Sequence, residues 1–375
     1  MHRIAAAGVS AEVVAASLKS VEYRPVFTAH PTEASRRSVL EKRAEIAELL
    51  QWRHQSSSAA AEARIDRRIA EIIDLLWMSD ELRDVKPTPV DEARSIIFYL
   101  ERLVERALPL VWSDLDHLSR EIGVELGAEL TPIRFGSWVG GDRDGNPFVT
   151  PAVTEEVLLL HRQRALRLLR RGVQDLARDV SISNVIRPAA PGLLEWIDDM
   201  SAAHPRLVAN LSPLIANEPY RIACTIIDGR LAATERASDP DLGGVDAAYG
   251  HATEFRSDLA RMDASLREGD ASSVADGKLM QLRRQAATIG FHLATLDIRQ
   301  HTKHHHAAVA ELFDSAGLDY PDAPDKRQKV LSAELLSSRP FAPAGTPGVG
   351  GDPLELVRHL RERMDTLGEE IIESY

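Results

Sequence analysis

Apolar side chains recur every three or four positions over most of the chain, and that period predicts a protein built mainly of helices. From Ser35 to Trp52, Val39, Leu40, Ile46, Leu49 and Leu50 fall on one side of a helix whose other side carries Arg and Glu. A second helix is predicted from about Ala59 to Ser79. At Thr88-Pro89-Val90-Asp91 a third begins: Thr88 can cap it, Pro89 suits its first turn, and Asp91 faces the positive end of the dipole. Ile96, Leu100, Leu103, Ala107 and Val111 then continue at helical spacing. Thr150-Pro151 repeats the start signal before a long Leu- and Arg-rich helix to about Val180, and another covers Ser272 to Ile289.

Three segments break this period. Val21 to Thr28, Pro132 to Val139 and Gly290 to Ile298 are rich in aromatic or β-branched residues and are flanked by turn formers, so each is predicted to be a strand. Polar, basic or glycine-rich residues and then a helix follow each one. Such strand-loop-helix units suit an α/β barrel or sheet, in which sites gather at the carboxyl ends of the strands. The fold class read here is therefore α/β and predominantly helical. Residues 1–336 form the main body. The Gly- and Pro-rich stretch 337–353 is expected to be a surface loop, and 354–375 a final helix that runs to the end of the sequence.

Bulk composition narrows the function. With 375 residues, 44% of them hydrophobic, the chain can bury a real core. A net charge of −12 opposes binding to nucleic acid or to an anionic membrane, and no run approaches the roughly 20 apolar residues needed to span a bilayer. The single cysteine, Cys224, can form no internal disulfide, which suits a reducing cytoplasm.

Three loops carry candidate chemistry. In Phe27-Thr28-Ala29-His30-Pro31-Thr32-Glu33-Ala34, His30 stands between a strand and a helix whose unpaired amides favour an anion, with Arg36 and Arg37 close behind. The plain alternative is a capping or buried histidine. Gly136 to Pro147 combines glycines that let a backbone approach a ligand with Arg143, which can bind an anion; the alternative is an Asx-type turn with Trp138 as core. A calcium loop counted from Asp142 fails, because its sixth and twelfth places hold Pro147 and Val153. In Leu296-Asp297-Ile298-Arg299-Gln300, Arg299 can clamp a carboxylate or phosphate, unless Asp297 pairs with it structurally. His301, His304, His305 and His306 lack the glutamate of the zinc-protease pattern and read as a solvated helix start, so no metal is assigned in this chain.

Taken together and in this order, these three loops resemble phosphoenolpyruvate carboxylase. Leu76-Trp77-Met78-Ser79-Asp80-Glu81-Leu82-Arg83 and Pro87-Thr88-Pro89-Val90-Asp91-Glu92-Ala93-Arg94 between them also look like that family. The resemblance implies that phosphoenolpyruvate and bicarbonate are converted to oxaloacetate and phosphate through carboxyphosphate and an enolate. It assigns catalysis to His30, the apolar wall of the CO2 pocket to Trp138, substrate phosphate to Arg299 with Arg143 nearby, and an allosteric anion site to Arg36 and Arg37. It further implies a helix-rich (β/α)8 barrel, a cytoplasmic homotetramer and Mg²⁺ or Mn²⁺ as cofactor. The acidic metal ligands and a mobile Gly- and Arg-rich loop belong to a later part of the family's sequence, so the chain is expected to be an incomplete portion of the barrel and inactive alone. The competing reading is a non-catalytic helical scaffold or phosphate-sensing module.

Overall fold

The computed structural model describes residues 7–29, 36–80, 87–238, 246–337, 340–341 and 351–375. The chain opens with α1 (Ala11–Ser20) and β1 (Val26–Phe27), followed by the antiparallel pair α2 (Arg37–Gln55) and α3 (Ala59–Trp77). Arg53–Asp66 and Arg68–Glu45 ion pairs, at 2.6 and 2.8 Å, lie between these two helices. Next come α4 (Pro89–Arg102) and α5 (Leu108–Arg120), which are one helix interrupted by a π-turn at Leu103–Ala107. Pro109 explains the interruption. It has no N–H to give Glu105, and its ring would collide with that carbonyl in a regular helix.

Strand β2 (Gly136–Ser137) leads into the long α6 (Pro151–Asp179), then α7 (Pro191–Ala203), α8 (Pro219–Ala237) and α9 (Ala252–Glu268). Helix α10 (Met280–Ile289) precedes β3 (Thr295–Asp297), which is followed by α11 (Thr302–Ser315), α12 (Pro324–Ser337), α13 (Gly351–Leu367) and β4 (Ile372–Ser374). The four strands form one parallel sheet in the order β1-β2-β3-β4.

The three strand segments expected from sequence are all present, though shorter than expected. The predicted terminal helix is corrected: it stops at Leu367, and the chain turns into β4, which pairs with β3. The cause is Gly368, whose φ of 112° no other residue adopts without strain, with its N–H bonded to the Met364 carbonyl. The expected loop is corrected at its end too, since Gly351, Asp352 and Pro353 already belong to α13. Residues 338–339 and 342–350 of that loop lie outside the described residues.

One face of the sheet is apolar. Phe135, Leu296 and Ile298 are buried there, and the Phe27 and Phe135 rings meet at 6.4 Å. The helices beneath it supply the core. Leu166, Leu169, Val173 and Leu176 of α6 share one cluster with Ile226, Ile227 and Leu231 of α8 and with Phe255 and Leu259 of α9. Each such side chain contributes about 1.5–3 kcal/mol by leaving water. A second cluster, formed by Leu158, Leu296, Ile298, Leu356 and Leu360, seats α13 against β3. The other face of the sheet is polar.

Candidate active site

Parallel pairing brings the carboxyl ends of all four strands to one edge, and the sequence candidates fall along it. Trp138 follows β2 by one residue and Arg299 follows β3 by two; the chain leaves β1 through Thr28 and Ala29 toward His30. His30 itself lies outside the described residues, as do Pro31 to Ala34.

The structure brings Trp138 and Arg299 together. The Arg299 guanidinium lies 4.6 Å from the centroid of the Trp138 ring, and its nitrogens are 3.5 Å from Asp142 and 3.9 Å from Asp144. Its side chain is 44% exposed, so it can still meet a ligand from solvent. The two loops are locked by backbone bonds: Arg299 donates its N–H to Gly141, and Arg143 donates its own to Arg299, at 3.0 and 2.8 Å. Turns within the second loop are of the Asx type read from sequence, with Asp144 donating its N–H to Asp142 Oδ1 and Phe148 donating to Asn146 Oδ1.

Arg143 faces inward. It is 7% exposed, its Nε donates to the Val149 carbonyl at 2.7 Å, one terminal nitrogen lies 3.7 Å from Asp352, and Nη1 is buried without a hydrogen-bond partner. It therefore shares the loop with Arg299, but its guanidinium is turned toward α13. Arg36 occupies the N-cap position of α2 without a side-chain capping bond and pairs with exposed Asp80 at 3.2 Å, which leaves it on the surface. Arg37 is the first residue of α2, and its side chain lies outside the described residues.

The alternative of an Asp297–Arg299 pair is not what forms. Asp297, 5% exposed, is instead bound by Arg24, which reaches across β2 above Gly136. Both terminal nitrogens of Arg24 lie 3.1–3.2 Å from the carboxylate, and one also donates to Thr295 Oγ1 at 2.7 Å. Two further donors complete the shell, Trp138 Nε1 at 3.1 Å and Ser374 Oγ at 3.1 Å. Each strand or its flank thus sends one group to this point of the polar face. Sequence reading missed Arg24 and Ser374. The available signal for Arg24 was an arginine inside a segment already assigned to a strand.

The arrangement can hold an anion at Arg299 beside an apolar ring, at the carboxyl edge of the sheet. A family model described as phosphoenolpyruvate carboxylase matches residues 1–375. The chain belongs to the phosphoenolpyruvate carboxylase family. It is 36% identical over 349 residues to the phosphoenolpyruvate carboxylase of Roseiflexus castenholzii, covering 90% of this chain and 37% of that protein. The enzyme of the same name from Azorhizobium caulinodans is 36% identical over 356 residues, and that of Pseudomonas fluorescens 35% over 370 residues. The chain spans 37–40% of the length of these phosphoenolpyruvate carboxylases. Among the described residues no helix is long and apolar enough to cross a membrane.

Proposed function

We propose that the full-length protein carrying this chain carboxylates phosphoenolpyruvate. The observation that supports this most is the Trp138–Arg299 pair at the carboxyl edge of the parallel sheet, in a chain that matches the family throughout. A bicarbonate oxygen attacks the phosphorus, and the bond from phosphorus to the enol oxygen breaks. This leaves carboxyphosphate and the pyruvate enolate. The carbon–oxygen bond of carboxyphosphate then breaks to give CO2 and phosphate, and the enolate methylene carbon attacks CO2 to form oxaloacetate.

Arg299 holds the phosphate, because a fork of fixed donors stabilises charge that builds on the phosphoryl oxygens. Trp138 presents an aromatic face that keeps water from CO2 and the enolate. His30, which follows β1 in the sequence, carries the proton that bicarbonate gives up to phosphate as carboxyphosphate breaks down. Arg143 shapes the loop beneath, and Arg36 with Arg37 remains the candidate site for a phosphorylated activator.

The same reading makes this sheet, with its strands in sequential order and helices on its apolar face, one half of a (β/α)8 barrel. It also carries a cytoplasmic homotetramer with it. Mg²⁺ or Mn²⁺ would polarise the phosphoryl and enolate oxygens. Among the described residues no group of three or more His, Cys, Asp or Glu side chains could hold such an ion. With the polar face open and Arg299 half in solvent, residues 1–375 alone would leave the enolate to be protonated by water, and no turnover is expected from them.

The test uses the full-length protein. Arg299→Ala is expected to weaken phosphoenolpyruvate binding by isothermal titration about ten- to a hundredfold, the worth of a charge-assisted contact. His30→Asn is expected to abolish oxaloacetate formation with melting unchanged. Wild-type phosphoenolpyruvate affinity in the first variant and wild-type carboxylation in the second would sink the proposal.

A further inference from the structure

We infer that Asp297 is a positioning residue of this site: by accepting the indole N–H it sets the Trp138 ring, and through the ring the resting place of Arg299. The inference rests on the function proposed above and deepens it. Three observations lead there. The Asp297 carboxylate is almost wholly buried and collects donors from three side chains, Arg24, Trp138 through its indole, and Ser374. Among the described residues the indole N–H has this one acceptor, at 3.1 Å, and an indole nitrogen is a donor only, so losing the carboxylate removes the hydrogen bond that orients the ring. Over that ring the Arg299 guanidinium rests 4.6 Å from the centroid, with its nitrogens 3.5 Å from Asp142 and 3.9 Å from Asp144. A turn of the ring therefore moves the cation that the substrate phosphate must meet.

Asp297 also closes an ion pair with Arg24 that ties the first strand to the third, and a purely structural residue would show the same contacts. The two roles differ in what they require. Holding the indole needs an acceptor oxygen, whereas pairing with Arg24 needs the negative charge. Asp297→Asn keeps the oxygen and loses the charge; Asp297→Ala loses both.

In the full-length enzyme, Asp297→Ala is expected to raise KM for phosphoenolpyruvate about tenfold while kcat falls less, because one lost hydrogen bond displaces the phosphate-binding cation without removing it. Asp297→Asn is expected to stay within about threefold of wild type. Trp138→Phe should resemble Asp297→Ala, and the two changes together should be no worse than the worse one alone, since they break the same contact. Equal impairment in the Ala and Asn variants, or additive losses in the pair, would overturn the inference in favour of a structural ion pair. So would a wild-type KM in Asp297→Ala. Should Asp297→Ala fail to fold with Arg24 left unpaired, Arg24→Met combined with each Asp297 variant makes the same comparison. Arg299→Ala, measured alongside, separates the two layers: if it leaves KM unchanged, the functional reading falls and the inference with it, whereas an impaired Arg299→Ala beside a normal Asp297→Ala removes the inference only.

Discussion

At Gly141 the stretch that extends β2 runs so close to β3 that a Cβ would lie 2.3 Å from the Asp297 carbonyl oxygen. A backbone atom cannot move aside as a side-chain tip can. Gly141→Ala is therefore expected to push the Trp138 loop off β3, breaking the 3.0 Å bond from the Arg299 N–H to the Gly141 carbonyl. A loss of about 1–3 kcal/mol in urea unfolding is expected, the usual cost of overpacking. At this scale the placement of Trp138 and Arg299 just past strand ends was legible in the sequence, because strand-forming residues give way there to turn-forming or polar ones. The partner of Asp297 was not legible. Arg24 lies 273 residues away along the chain, and only sheet pairing brings the two together. Asp297 and Arg299, two residues apart, invited the wrong pairing for the same reason.

Helix starts were easy to read because a cap is local chemistry. Thr88 Oγ1 accepts the Asp91 N–H and Asp91 returns the bond to the Thr88 N–H, so the expected start of α4 is a full capping box. Thr88→Ala is expected to cost about 1 kcal/mol, read as a lower urea midpoint with an unchanged slope. Thr150 caps α6 with one bond only, its Oγ1 accepting the Val153 N–H. Helix ends were harder. Gly368 followed by Ile371 and Ile372 announces a stop and a strand, yet the predicted final helix was carried past it to the end of the sequence. Helices α8 and α9 went unassigned in the sequence although they build the core. In α8, buried Ala223, Cys224, Ile226 and Ile227 crowd together, and their β-branched members blur the helical period.

At the scale of the molecule, the support for β3 includes a buried pair of histidines. His161 on α6 is fully enclosed with neither ring nitrogen paired to protein, and burial, with His292 nearby, pushes its pKa down to about 3. His292, just before β3, is likewise pushed to about 3 by burial and then by Arg134 and Arg162. Burial also lowers Arg162 itself to about 10, although its guanidinium bonds Ser238 and the Leu367 carbonyl. Both histidines are thus neutral in the fold and titrate near 6.5 when unfolded. Their depressed pKa values mean that the unfolded chain binds protons which the folded chain refuses. Stability is complete above about pH 6.5 and falls as the pH drops toward 3. Between pH 6.5 and 5 the loss should approach about 2 kcal/mol per histidine, followed as a falling urea midpoint. His161→Leu should roughly halve the slope in that range; an unchanged slope would show that His161 takes up a proton without cost.

Amphipathic period, cap residues and strand-end chemistry act over a few residues, so the sequence alone was enough for the helical α/β class, the places of three strands, the family and the position of Trp138 and Arg299 at strand ends. The fourth strand, the polar face centred on Asp297 and the inward turn of Arg143 follow from contacts between residues far apart in the chain. Those depend on which elements pack together, and no local pattern encodes the charges and carbonyls that such packing places around a given side chain.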